Sequence, residues 1–195
     1  MTTLDQAGQD LLFFKARTQN GYLPKPVSES LLRQVYDMAR MGPTSMNTQP
    51  MRIVFVTSEA AKARLLPTLA PSNVDKVKQA PVTAIVATDT RFYEHLPTIW
   101  HRENAAAMYA GNAALSEATG FRNSSLQGAY LIIAARALGL QCGPLSGFVP
   151  AQVDAEFFPD GRCKTNFLCT MGYGDPSKLF DRNRRFAFDE VCKIV

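Results

Sequence analysis

Residues 42–56 read Gly42-Pro43-Thr44-Ser45-Met46-Asn47-Thr48-Gln49-Pro50-Met51-Arg52-Ile53-Val54-Phe55-Val56. The stretch changes character midway. A polar, turn-forming half gives way to the apolar, β-branched run Arg52–Val56, which predicts a strand. Before it, Ser28 is placed to cap a helix whose inward stripe is Leu31, Leu32, Val35, Met38 and Ala39, and Gly42-Pro43 stops that helix. The loop between helix and strand has two readings. It is a surface turn, or it is a hydrogen-bonding rim for a polyhydroxylated ligand, because Ser, Asn and Gln offer both donors and acceptors.

Upstream, Leu4, Ala7, Leu11, Leu12 and Phe14 have helical spacing, predicting a helix over Leu4–Thr18 that ends near Asn20-Gly21. Downstream, Ser58 caps a small helix containing Leu65 and Leu66, and the run Val82–Thr88 reads as a strand buried on both faces. Residues 103–139 look helical, with a break near Gly120. Leu126, Tyr130, Ile133, Ala134, Ala137 and Leu138 make the second half apolar around most of its circumference, as in a central core helix. Gly139 ends it. The turn-rich stretch Gly143–Pro150 leads to a short helix at Ala151–Phe157, the last strand is Thr165–Met171, and a basic tail follows at Arg182–Arg185. This order predicts one α+β domain over residues 1–195, a central mixed or antiparallel sheet flanked by helices.

Composition removes several function classes. At 46% hydrophobic and 19% charged, the 195 residues can fill a core, which argues against disorder. The balance of 21 Lys+Arg against 17 Asp+Glu, a net +4, falls short of the concentrated basic face of a nucleic-acid binder. The most apolar stretch, Ala129–Leu140, is too short to span a bilayer and contains Arg136. Asp5, Gln9 and Asp10 interrupt the place where a secretory signal would be apolar, so a cytoplasmic protein is expected. Cys142, Cys163, Cys169 and Cys192 form no CxxC pair and have no nearby His, which reads as reduced, mostly buried thiols. His95 and His101 are off the spacing of helical zinc sites, so no metal is expected. The sequence also lacks the Gly-rich dinucleotide and P-loop patterns. Ser146 sits one place too late in Gly143–Gly147 for a nucleophile elbow.

The segment Pro43-Thr44-Ser45-Met46-Asn47-Thr48-Gln49-Pro50 resembles the Pro-Ser-x-x-Asn-x-Gln-Pro signature of the FMN-dependent nitroreductase superfamily, and four further segments match in that family's order. Ala16-Arg17-Thr18-Gln19-Asn20 resembles its Arg-Arg-Ser-x-Arg phosphate motif. Ala16 and Asn20 replace the first and last basic residues, leaving fewer charges for the phosphate. Asn73-Val74-Asp75-Lys76 resembles its Asn-x-x-Lys, whose side chains reach the flavin's pyrimidine edge. Pro144-Leu145-Ser146-Gly147-Phe148 resembles the turn that presents two backbone N–H groups to the flavin, with Ser146 replacing Glu. Arg185, ahead of Phe186–Val191, is similar to the family's C-terminal phosphate-binding Arg, while Arg182 and Arg184 read as solvated charges.

The resemblance implies an intertwined homodimer with FMN at the subunit interface. One chain would contribute Arg17, Thr18, Asn73, Lys76, Ser146, Gly147 and Arg185, and the other Thr44, Ser45 and Asn47. It implies NADH or NADPH as electron donor, ping-pong kinetics and a small-molecule acceptor. Gly42–Ser45, Phe121–Gln127, Gly143–Phe148 and Gly172–Lys178 are most similar to the malonic semialdehyde reductases of uracil breakdown, which make 3-hydroxypropionate. A broad nitroaromatic or quinone reductase is the alternative. The resemblance also places substrate-facing helices near Arg91–Arg102, making Tyr93, His95 and Arg102 candidates for contact with the acceptor.

Overall fold

Among the residues described by the computed structural model, 2–195, four strands form one antiparallel sheet. They are β1 (Met51–Val56), β2 (Val82–Asp89), β3 (Gln141–Leu145) and β4 (Cys163–Gly172), in the order β1-β2-β4-β3. The apolar runs Arg52–Val56 and Val82–Thr88 become the edge strand β1 and the central strand β2. Every residue of β2 is buried, as expected of a strand covered on both faces. On one face, α2 (Glu29–Ala39) and α7 (Ala113–Ala137) bring Leu32, Val35, Ala39, Leu131, Ala134 and Ala135 against Val82, Ala84 and Val86. On the other, α3 (Glu59–Leu65), α4 (Pro71–Gln79) and α8 (Pro150–Phe157) supply Leu65, Val77 and Val153 to Ile85, Leu145 and Leu168. The predicted caps are made: Ser28 accepts from the Leu31 N–H and Ser58 from the Ala61 N–H, each at 3.2 Å.

Four sequence expectations are corrected. The N-terminal helix is brief: α1 (Gln6–Gln9) passes into a π-helical turn at Asp10–Phe14 and stops short of Thr18. Residues 18–19 are drawn instead to the sheet, where the Gln19 N–H donates to the Cys142 carbonyl at 2.9 Å. Residues 141–145 form a strand where only turns were expected. Pro144 is tolerated there because β3 is an edge strand of the sheet. Gly120 does not break α7; its bare Cα leaves room for the Thr88 methyl, which a Cβ would approach to 2.9 Å. The interruption falls at Gly111-Asn112, between α6 (Ala105–Ala110) and α7, and the Asn112 side chain caps α7 by accepting from the Leu115 N–H. Finally, α7 is not apolar-buried all round. Leu126 and Tyr130 are exposed in the single chain, and Asn123, Ser124 and Gln127 are buried among the residues facing inward.

Gly143 decides how closely the N-terminal segment approaches β3. A Cβ there would lie 2.5 Å from the Gln19 carbonyl oxygen and 2.6 Å from Thr170 Oγ1. Backbone on one side and a buried hydroxyl on the other leave little room to yield. Gly143→Ala is therefore expected to destabilise the fold by about 1–3 kcal/mol, the usual cost of overpacking. Chemical denaturation checks this, and an unchanged midpoint would show that residues 18–19 are free to move away.

Candidate functional site at the β3 edge

The residues beside β3 come from distant parts of the chain. Arg17, Thr18 and Arg185 line one cavity of about 460 Å³ with Ala16, Asn20, Arg136 and Arg182. Arg17 is fixed by a hydrogen bond to the Phe180 carbonyl. Arg182 donates to the Phe14 and Ala16 carbonyls at 2.8 and 2.9 Å. The expectation that Arg182 is a solvated charge is therefore corrected: it ties the C-terminal tail to the N-terminal segment. Arg184 pairs with Glu190. Four guanidinium groups face one carboxylate, Asp181, in this cavity, and the Nε of Arg136 is buried without a partner among the described residues. Such a donor set suits a phosphate.

Farther along the edge, α4 brings Asn73 to the turn after β3. Its Nδ2 donates to the Gly147 carbonyl at 3.0 Å, and the Ala70 N–H donates to the same oxygen at 2.9 Å. A Cβ on Gly147 would collide with the Asn73 amide, so this approach requires glycine. Ser146 is exposed beside it, which suits a position that contributes backbone rather than side chain. One turn on from Asn73, Lys76 is half-buried and makes no ion pair among the described residues. Burial pushes its ammonium below the ordinary lysine range. An anion placed against it would reverse that shift.

Thr44, Ser45 and Asn47 lie elsewhere, before β1 at the opposite edge of the sheet. Three strand spacings separate the two edges, about 14 Å, and among the described residues no side-chain hydrogen bond joins the loop to Asn73 or Lys76. The loop is strained: Met46, Asn47 and Gln49 have φ of 51°, 52° and 41°, the left-handed region that non-glycine residues avoid. It is also tightly held. The Ser45 N–H donates to Asn123 Oδ1 at 2.8 Å, Asn47 Nδ2 to the Ile99 carbonyl at 2.8 Å, and Gln49 Nε2 to Asn47 Oδ1 at 3.0 Å. Strain persists only when its surroundings over-determine it, as these three hydrogen bonds do.

Tyr93, His95 and Arg102 are not brought to one point. Tyr93 lines a cavity of about 490 Å³ with Tyr109, Phe121 and Lys164, whereas Arg102 lines a separate one of about 360 Å³ with Trp100 and His101. His95 belongs to an ion cluster around Asp89, its Nε2 lying 3.4 Å from Oδ2. Arg52 and Arg162 reach the same carboxylate at 2.7 and 2.9 Å.

The arrangement can be compared with known proteins. The model of the nitroreductase family matches residues 15–173. This chain belongs to the nitroreductase family. A relative from Burkholderia lata, named "Putative NADH dehydrogenase/NAD(P)H nitroreductase", is 53% identical over 194 residues, covering 100% of both chains. The relative from Ralstonia pickettii that bears the same name with the suffix HadB is 51% identical over 187 residues, covering 94% of this chain and 95% of its own. Among solved structures, a nitroreductase of Exiguobacterium sibiricum in complex with FMN superposes with a TM-score of 0.85 at 20% identity, covering 100% of this chain and 99% of the other. At that identity the likeness speaks to the nitroreductase fold alone.

Within this nitroreductase chain the sequence reading passed over several residues. Asn123 and Gln127 hold the strained loop and the start of β1, Gln127 Oε1 accepting from the Met51 N–H at 3.0 Å. Their signal was present, two amides four apart and so on one face of a helix. Arg136 carried a similar one, a charge inside an apolar run.

Asp89 generates a pH-dependent expectation. Burial alone would raise its carboxyl, but hydrogen bonds from Arg162 and the Arg91 N–H, with Arg52 alongside, hold it below the ordinary value of 3.8. A folded pKa below the unfolded one adds stability that is present above about pH 4 and lost as pH falls through the folded value. Asp89→Asn should cost about 3 kcal/mol at neutral pH, because it leaves two guanidiniums without their buried partner, and should flatten the acid limb of the stability curve. Urea midpoints between pH 3 and 7 measure both. Equal midpoints at pH 7 would mean that the cluster contributes nothing.

Proposed function

We propose that this chain reduces malonic semialdehyde to 3-hydroxypropionate in pyrimidine degradation, as a homodimer with FMN at the interface between two copies. The class of enzyme is an FMN-dependent NAD(P)H oxidoreductase of the nitroreductase family. One observation carries the reading. Segments far apart in sequence gather along β3, with arginines at one end and Asn73, Lys76 and Gly147 at the other. Arg17, Thr18 and Arg185 would hold the FMN phosphate, Asn73 and Lys76 the pyrimidine edge, and the Ser146-Gly147 backbone the central ring. When bound, FMN supplies the hydride chemistry between the nicotinamide and the acceptor. Lys76 contributes a preorganised cation, positioned before any negative charge develops beside it. The missing Gly-rich dinucleotide pattern is then expected, because the nicotinamide is taken up by stacking and not in a domain of its own.

The separation of Thr44, Ser45 and Asn47 from Asn73 and Lys76 supports the homodimer, since a second copy can bring its loop to the β3 edge. Exposed apolar residues point the same way. Leu126 and Tyr130 on the outer face of α7, Phe13 and Phe14 near the N-terminus, and Phe186 and Phe188 in the tail are uncovered in one chain. Free, mostly buried thiols favour the cytosol, and no helix of the described residues is long and apolar enough to cross a membrane.

For the acceptor, the subgroup wording at Gly42–Ser45, Phe121–Gln127, Gly143–Phe148 and Gly172–Lys178 supports malonic semialdehyde. A broad nitroaromatic or quinone reductase is the second reading, favoured by the names of the relatives. Tyr93, His95 and Arg102 remain the proposed acceptor-side residues. Arg102 is the one suited to a substrate carboxylate, since it makes no ion pair among the described residues.

The decisive measurement is NADH and NADPH oxidation with malonic semialdehyde, nitrofurazone and menadione, alongside light scattering for two chains per particle. The semialdehyde should give the highest kcat/KM; efficient nitroaromatic turnover with none of the semialdehyde overturns that assignment. Arg17→Ala and Arg185→Ala should each weaken FMN binding about tenfold or more, the scale of a lost charge-assisted hydrogen bond. Flavin fluorescence titration reads this, and unchanged dissociation constants in both variants would remove them from the site.

A further inference from the structure

We propose that Arg136, in the last turn of α7, is a ligand for the flavin phosphate and supplies charge that positions 16 and 20 lack. This inference rests on the FMN reading above. Ala16 and Asn20 stand where the family's motif has basic residues, and both line the cavity of about 460 Å³. Arg136 enters that same cavity from another element. Its Nη1 gives a hydrogen bond to the Leu12 carbonyl at 3.0 Å, while Nε is buried with no partner among the described residues.

A buried unpaired donor on a charged group is costly, so the side chain gains by turning Nε toward an anion in the cavity it lines. The other three arginines are engaged differently. Arg17, Arg182 and Arg185 each donate to backbone carbonyls of the N-terminal segment or the tail, and Arg182 and Arg185 are exposed to solvent. Arg136 also borders a neighbouring cavity of about 280 Å³, where Lys15 and Arg17 accompany Asp10, which Lys15 holds in an ion pair at 2.6 Å. That smaller side sets three cations against one carboxylate and the acceptor oxygen Gln19 Oε1. The larger cavity gathers four guanidiniums against Asp181 and is the one that both Ala16 and Asn20 line, so the anion is assigned there.

A rival account makes Arg136 purely structural, a cation suited to the negative end of a helix and a brace for Leu12. The two accounts differ in what happens to riboflavin, which lacks the phosphate. Dissociation constants for FMN and riboflavin are measured by fluorescence titration of apoprotein from the wild type, Arg136→Gln and Arg136→Lys, with circular dichroism to verify folding. The Arg136→Gln variant should weaken FMN about tenfold or more while leaving riboflavin within about twofold, and Arg136→Lys should restore part of the difference. Equal losses for both flavins, or no loss, overturn the assignment. Should Arg136→Gln not fold, Arg136→Lys decides alone: a lowered ratio of FMN to riboflavin affinity supports the assignment, and a wild-type ratio overturns it. Wild-type protein that binds neither flavin would instead overturn the FMN reading itself.

Discussion

The hydrogen bond from the Gln19 N–H to the Cys142 carbonyl, 2.9 Å long, sets the geometry of everything at the β3 edge. It exists because Gly143 has no Cβ to hold the two backbones apart. Residues 18–19 thereby lie beside an edge strand and do not extend the N-terminal helix, and Arg17 is delivered to the tail at Phe180. Arg182 closes the same junction from the other side through the Phe14 and Ala16 carbonyls. Two chain ends that are uninformative singly become one basic cavity because a single glycine lets the backbone approach.

The sheet then divides labour between its edges. The β3 edge gathers fixed cations and amides, while the loop before β1 presents hydroxyls and amides on a backbone forced into left-handed conformations at Met46, Asn47 and Gln49. That loop is held by Asn123 on α7 and by the Ile99 carbonyl. Strain of this kind is held at some expense in local stability. Its distance from Asn73 and Lys76 in one chain is what makes a second copy part of the functional reading.

Much of this was legible in the residues. The burial of β2 followed from its unbroken apolar run, the caps at Ser28 and Ser58 from residue type and position, and the family from motifs in order. The failures share a cause. Gly120, Gly143 and Pro144 look like breakers to a local reading, yet Gly120 lies inside a continuous helix and the other two inside a strand, because close packing or an edge position compensates for what each lacks. Likewise the apolar circumference of α7 suggested a helix buried all round, while one face meets the sheet and the other stands open in a single chain.

By itself the sequence determined the local and the chemical. It specified the α+β class, the strand interiors and the kinds of group available to a cofactor, because periodicity and residue type act over a few neighbours. Only the tertiary structure decided which of those groups meet. Arg136, Arg182 and Arg17 reach one cavity, Asn73 reaches Gly147, and His95 is drawn into the Asp89 cluster away from Arg102. Such meetings depend on sheet order and on close backbone approach, and these are settled by packing among residues distant in the chain.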